Sequence, residues 1–172
     1  MKHIFLTGEI QVGKSTVIQN TLSLLTIKYG GFCTFFGNDR YEPEHCLYIN
    51  EASGSRSISR ENAVAYFSAS GAPQPLPERF DALGTKYLAE AAANAKLIIM
   101  DECGNLERDA ILFQDEILHI LDGNTPVLGV LKLSASGWAD KIRFHPSVNL
   151  ITVDKANRDE LPLVLYKILR EL

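Results

Sequence analysis

The chain has 172 residues, 46% of them hydrophobic, and a formal net charge of −4. That length and apolar share suit one domain with a sizeable core, expected to span residues 1–172. The acidic balance gives no electrostatic reason to expect general nucleic-acid binding, whose usual footprint is a basic face, no apolar run nears the roughly 20 residues that cross a bilayer, and Cys33, Cys46 and Cys103 lack the spacing of a disulfide framework or a zinc site.

In chain order, His3 to Thr7 is a short apolar run ended by Gly8, a buried strand. It is too short for a signal peptide, and with three scattered thiols it points to a reduced, cytoplasmic protein. From Lys14, apolar Val17, Ile18, Leu22, Leu25 and Tyr29 recur at helical spacing, and Gly30-Gly31 are expected to stop that helix. Phe32 to Phe36, Leu47 to Ile49 and Ala63 to Phe67 lean to strand, with a turn at Gly37-Asn38-Asp39. Glu51 to Arg60, small and polar with two arginines, reads as a mobile loop. Gly71 to Pro77 holds three prolines, which exclude helix interior and central strand, so it reads as a surface excursion. Arg79 to Asn94 is a predicted helix.

Lys96 to Glu102 is a continuous apolar run ending in acids, as in a strand buried on both faces of a parallel sheet. Asp109 to Leu121 follows as helix, Pro126 to Leu133 as strand, Trp138 to Phe144 as a short helix and Val148 to Val153 as the last strand. Asn157 to Leu172 closes the chain as a helix that takes Pro162 in its first turn. Helix and strand alternate at both ends of the chain, which gives an α/β fold with a mainly parallel sheet flanked by helices. Residues 32 to 70 are expected to add strands, candidates for antiparallel pairing.

Residues Gly8, Glu9, Ile10, Gln11, Val12, Gly13, Lys14 and Ser15 fit the phosphate-loop pattern G-x-x-x-x-G-K-[ST], with a strand before and a helix after, as that pattern requires. Backbone N–H groups of such a loop converge on phosphate oxygens, and the helix dipole favours negative charge there. Lys14 reaches the terminal phosphates, and Ser15 offers a hydroxyl to Mg²⁺. Thr16 follows as a packing or α-phosphate contact. Because the loop binds through its backbone, Glu9 is expected to point outward and tune the site without disabling it.

A second motif is Met100-Asp101-Glu102. An apolar strand ending in Asp supplies a carboxylate that helps to hold Mg²⁺. Glu102 then suits the polarisation of a water for attack on the γ-phosphate, which favours hydrolysis over transfer to an acceptor. Charge on the transferring group calls for a cation; the candidates are Arg56 and Arg60 in the polar loop, Arg108 after the acidic strand and Arg158 near the last strand. Ser134 is a candidate γ-phosphate sensor if its strand lies beside the first one. His3, His45, His119 and His145 are dispersed and read as structural.

Taken in order, K-H-I-F-L-T-G, V-G-K-S-T, Ala52 to Arg60, L-I-I-M-D-E-C-G-N-L-E and Val153 to Pro162 resemble the cancer-related nucleoside-triphosphatase family of small phosphate-loop proteins. The likeness spans nearly the whole chain, and the Asp101–Glu107 and Asn157–Pro162 segments carry most of its specificity. It implies a three-layer, RecA-like fold and Mg²⁺-dependent hydrolysis of ATP, GTP and other nucleoside triphosphates to the diphosphate and phosphate. Lys14, Ser15, Asp101 and Glu102 take the nucleotide and metal roles by position; Arg56, Arg60, Asn157 and Arg158 match family positions as further nucleotide contacts. Three departures stand out. Glu9-Ile10-Gln11 replace a Pro/Gly-rich stretch, Asn105 stands where the family commonly has Lys, and the segment around residues 37 to 47 is short and lacks the usual basic residues. A nucleotide or small-molecule kinase is one rival, told apart by dependence on an added acceptor. A nucleotide-binding switch is another, told apart by tight binding without steady turnover.

Overall fold

A computed structural model describes residues 3–69 and 71–171. Among these, eight strands form one sheet: β1 (His3–Thr7), β2 (Tyr29–Phe36), β3 (His45–Glu51), β4 (Ala63–Phe67), β5 (Pro73–Pro75), β6 (Leu97–Cys103), β7 (Val127–Leu131) and β8 (Val148–Thr152). Their spatial order is β5-β4-β3-β2-β6-β7-β1-β8. The run from β2 to β8 is parallel. On its far side β3, β4 and β5 add antiparallel strands, the place the sequence left for them.

Helices cover both faces, as the continuous apolar character of β6 and β7 requires. On one face α1 (Lys14–Leu24) packs beside α6 (Leu161–Leu169), burying Val17, Ile18, Leu161 and Leu165 against Ile4, Leu6, Ile99 and Val130. On the other lie α3 (Thr85–Asn94), α4 (Ile111–Asp122) and α5 (Trp138–Arg143), over a core of Phe5, Phe32, Phe80, Phe113 and Trp138. The helix predicted from Arg79 to Asn94 is composite. A turn of α-helix, α2 (Pro77–Arg79), passes through a π-helical stretch, Phe80–Gly84, into α3.

Several boundaries differ from the sequence reading. The first helix ends at Leu24, and Gly30-Gly31 lie inside β2 rather than stopping a helix. Their glycine character serves close packing: a Cβ on Gly30 would sit 3.0 Å from the Ala91 Cβ, and Gly31, at φ 105°, would strike the Ile99 carbonyl oxygen of β6. The last helix starts at Leu161, since Asp154 and Asn157 hold residues 154–160 in turns; Leu172 lies outside the described residues. The prolines behave as expected, with β5 an edge strand and Pro77 opening a helix. The loop read as mobile is pinned at both ends. Asn62 Nδ2 donates to Asn50 Oδ1 at 3.0 Å and to the Ser57 carbonyl at 2.8 Å, while its Oδ1 accepts from Ser59 N at 2.9 Å.

Candidate functional site

The site lies at the carboxyl ends of β1, β6 and β7. Parallel strands with helices on both faces present the crevice for ligands at that edge. Residue Gly13 turns the chain into α1 with φ 110°, a conformation that a side chain would oppose, and the first turn of the helix has no side-chain cap. Its N–H groups are therefore free of competing side chains and face the loop mouth. Glu9, Ile10 and Gln11 are exposed, Ile10 by 75%. Lys14 is the contrast. Its side chain is buried and folds back over the loop, with Nζ donating to the Gly8 carbonyl at 2.9 Å and the Glu9 carbonyl at 2.8 Å.

Across from it, β6 delivers its acids. Ser15 Oγ donates to Asp101 Oδ1 at 3.0 Å, joining the start of α1 to the end of β6. Asp101 is buried, and burial pushes its carboxyl up to about 7, against the Ser15 hydrogen bond. A carboxylate and a hydroxyl converging at a polar loop form a hard-oxygen pair of the kind Mg²⁺ prefers. The neighbouring Glu102 is half-buried. Burial raises its pKa, and the charges of Lys14 and Lys132 pull the other way. Thr34 Oγ1 of β2 accepts from the Glu102 amide at 3.3 Å.

Behind these acids is a brace to which sequence reading assigned no role. Glu107 is buried, its carboxyl pushed up to about 7 by that burial, and its Oε2 accepts from the Gly104 amide at 2.9 Å. Trp138 Nε1 donates to the Gly104 carbonyl at 2.8 Å. Asn105 Oδ1 accepts from the Ser136 amide at 3.3 Å, so it ties the β6 end to the segment after β7. The signal for Glu107 was its place at the end of the Asp101–Glu107 segment that carries the family resemblance.

The arginines separate. Arg56 is brought to the site: its guanidinium lies 5.0 Å over the Phe35 ring, and it lines a groove of about 320 Å³ with Ile18, Leu22, Tyr29, Cys33 and Asp101. Arg158 is also at the loop, with Nη1 donating to the Val12 carbonyl at 3.4 Å. Arg60 is exposed, and its carbonyl accepts from Arg79. Asn157 caps the turn after β8, through Nδ2 to the Thr152 carbonyl at 2.9 Å and Oδ1 from the Asp154 amide at 3.0 Å. Arg108 is exposed, and its carbonyl accepts from Gln114. β7 does pair with β1, as the Ser134 reading required, and Ser134 is exposed just past its end.

Strand order, phosphate loop and paired acids together define a phosphate-loop nucleoside triphosphatase with a RecA-like sheet. Comparison with known proteins takes this one step further: the family described as NTPase matches residues 3–166, and the chain belongs to it. Among curated relatives, the nucleoside-triphosphatase THEP1 of Thermofilum pendens is 29% identical over 94% of this chain and 91% of its own. That of Methanosarcina acetivorans is 29% identical over 100% and 99%. Two solved structures share the fold. THEP1 from Aquifex aeolicus aligns with a TM-score of 0.79 at 24% identity over 97% of this chain and 98% of its own. A human cancer-related nucleoside triphosphatase aligns at 0.74 and 21%, covering 99% and 98%. Hydrolysis of nucleoside triphosphates is the activity that this membership assigns, and among the described residues no helix is long and apolar enough to cross a membrane.

Proposed function

We propose that residues 1–172 act as one cytoplasmic Mg²⁺-dependent domain that hydrolyses ATP, GTP and other nucleoside triphosphates at the β–γ anhydride. The observation that carries this reading is the 3.0 Å Ser15–Asp101 contact, with Glu102 the next residue in the strand. Amides of residues 9–16 hold the phosphate chain. Lys14 exchanges its two loop carbonyls for terminal phosphate oxygens, and Ser15 and Asp101 are the residues that would hold Mg²⁺. When bound, that ion neutralises charge on the β- and γ-oxygens. Glu102 orients a water and takes its proton as the water oxygen bonds to Pγ. The bridging P–O bond breaks, and the diphosphate leaves with that electron pair. A base raised from its ordinary pKa by burial suits this task. Arg56, beside Phe35 and Asp101, and Arg158, at the Val12 carbonyl, contact the nucleotide; Arg60 and Asn157 act through the loops that hold them.

Phosphate release from Mg·ATP and Mg·GTP tests the reading, with Lys14→Ala as the control. The wild-type chain is expected to release phosphate without any added acceptor. A rate no higher than that of Lys14→Ala, or strict dependence on an acceptor, would contradict it.

A further inference from the structure

Transfer of a phosphoryl group spreads negative charge over its oxygens, and Lys14 answers that charge only from the loop side. The sheet brings a second lysine to the same edge. β7 lies between β1 and β6. Its register pairs Leu6 with Val130 on one side and Cys103 with Leu131 on the other. Extending both pairings sets Lys132 level with Gly8, where the phosphate loop begins, and with Gly104, just past the acids.

The position is held firmly. The Lys132 amide donates to the Cys103 carbonyl at 2.9 Å, and its own carbonyl accepts from the Ala135 amide at 3.1 Å. Its side chain runs over Gly104: a Cβ placed there would lie 3.3 Å from Lys132 Cδ and 3.5 Å from Lys132 Cβ. Any larger residue at 104 would push the stem away. Glu102 and Glu107 both lie within the field of the ammonium. Lys132 is half-buried, yet among the described residues its ammonium makes no hydrogen bond and no ion pair. A lysine whose stem is packed in place and whose ammonium has no such partner can pair with an anion delivered to it. Lys14, by contrast, already has two carbonyl partners.

We propose that Lys132 is a second catalytic cation, whose ammonium meets the γ-phosphoryl oxygens from the β7 side as the bond to the leaving diphosphate breaks. This rests on the hydrolytic reading above. It assigns a residue outside both motifs and gives the charge across from Lys14 a source that Asn105, turned to Ser136, does not supply.

The test compares wild type, Lys132→Ala and Lys132→Arg in steady-state phosphate release from Mg·ATP. Binding of a non-hydrolysable ATP analogue and thermal unfolding are measured on the same samples. Removal of one transition-state donor is expected to lower kcat about 10²-fold. Analogue affinity and KM should stay within about threefold, and Lys132→Arg should recover most of the loss. The proposal is overturned if Lys132→Ala keeps kcat within about threefold of wild type. It is also overturned if the loss falls in KM and analogue affinity, or follows a drop in melting temperature, since Lys132 would then serve binding or folding alone. A wild-type chain that releases no phosphate overturns the hydrolytic reading itself and this proposal with it.

Discussion

Glu107 carries a titratable group into the core within reach of the site. An acid whose folded pKa lies near 7, above its ordinary 4.5, keeps its proton longer in the folded chain than in the unfolded one. The contribution of Glu107 to stability is therefore greatest below the unfolded value and falls as pH rises through the window from about 4.5 to about 7, by a total on the order of 3 kcal/mol. The Glu102 carboxylate works against its charge as well, and Lys132 offsets part of this. Glu107→Gln keeps an acceptor for the Gly104 amide and removes the titration. Urea unfolding of both chains at pH 5 and pH 8 should show the difference moving in favour of the Gln variant as pH rises; a difference constant across that range would contradict the burial. Glu9 belongs to the same scale with the opposite outcome. Its side chain is exposed and, among the described residues, hydrogen bonds are made to its carbonyl alone, so Glu9→Ala should bind nucleotide within about threefold of wild type by titration.

At the scale of elements, β2 is where the sequence misled. Two glycines after a helically spaced apolar run carry the signature of a helix stop, and nothing local separates that from a strand that must lie close to α3 and β6. The contact that decides it, Gly31 against Ile99, joins residues far apart in sequence. Gly31→Ala should therefore cost about 2 kcal/mol or more, from the strained φ and the clash together. Gly71→Ala is the control: its φ is 82° but nothing lies within 4 Å of the added Cβ. Equal unfolding free energies for the two variants would contradict the packing account. The phosphate loop and the acidic end of β6 were legible because their chemistry is local: a pattern of glycines, lysine and hydroxyl, and an apolar run with acids at its tip. The Asn50–Asn62 clasp, the tie from Trp138 to Gly104 and Lys132 were not, because each acts through a partner that the chain reaches only after folding.

For the whole molecule, the two apolar layers and the sheet between them hold the loop after β1, the acids of β6 and Lys132 just past β7 at one edge. A ligand that bridges these strands stabilises the folded chain through its binding energy. At about 100 times its dissociation constant, a non-hydrolysable triphosphate with Mg²⁺ should add about 2.7 kcal/mol, which for a chain of this size raises the melting temperature by roughly 5–10 °C. Lys14→Ala should lose that shift. The most direct test of the central claim, that Glu102 activates water beside a bound triphosphate, is single-turnover phosphate release by wild type and Glu102→Gln, with Mg·ATP affinity measured for both. The expected result is affinity within about threefold and a chemical step slowed at least about 10²-fold in the variant. A Glu102→Gln chain that releases phosphate at the wild-type rate would contradict the account.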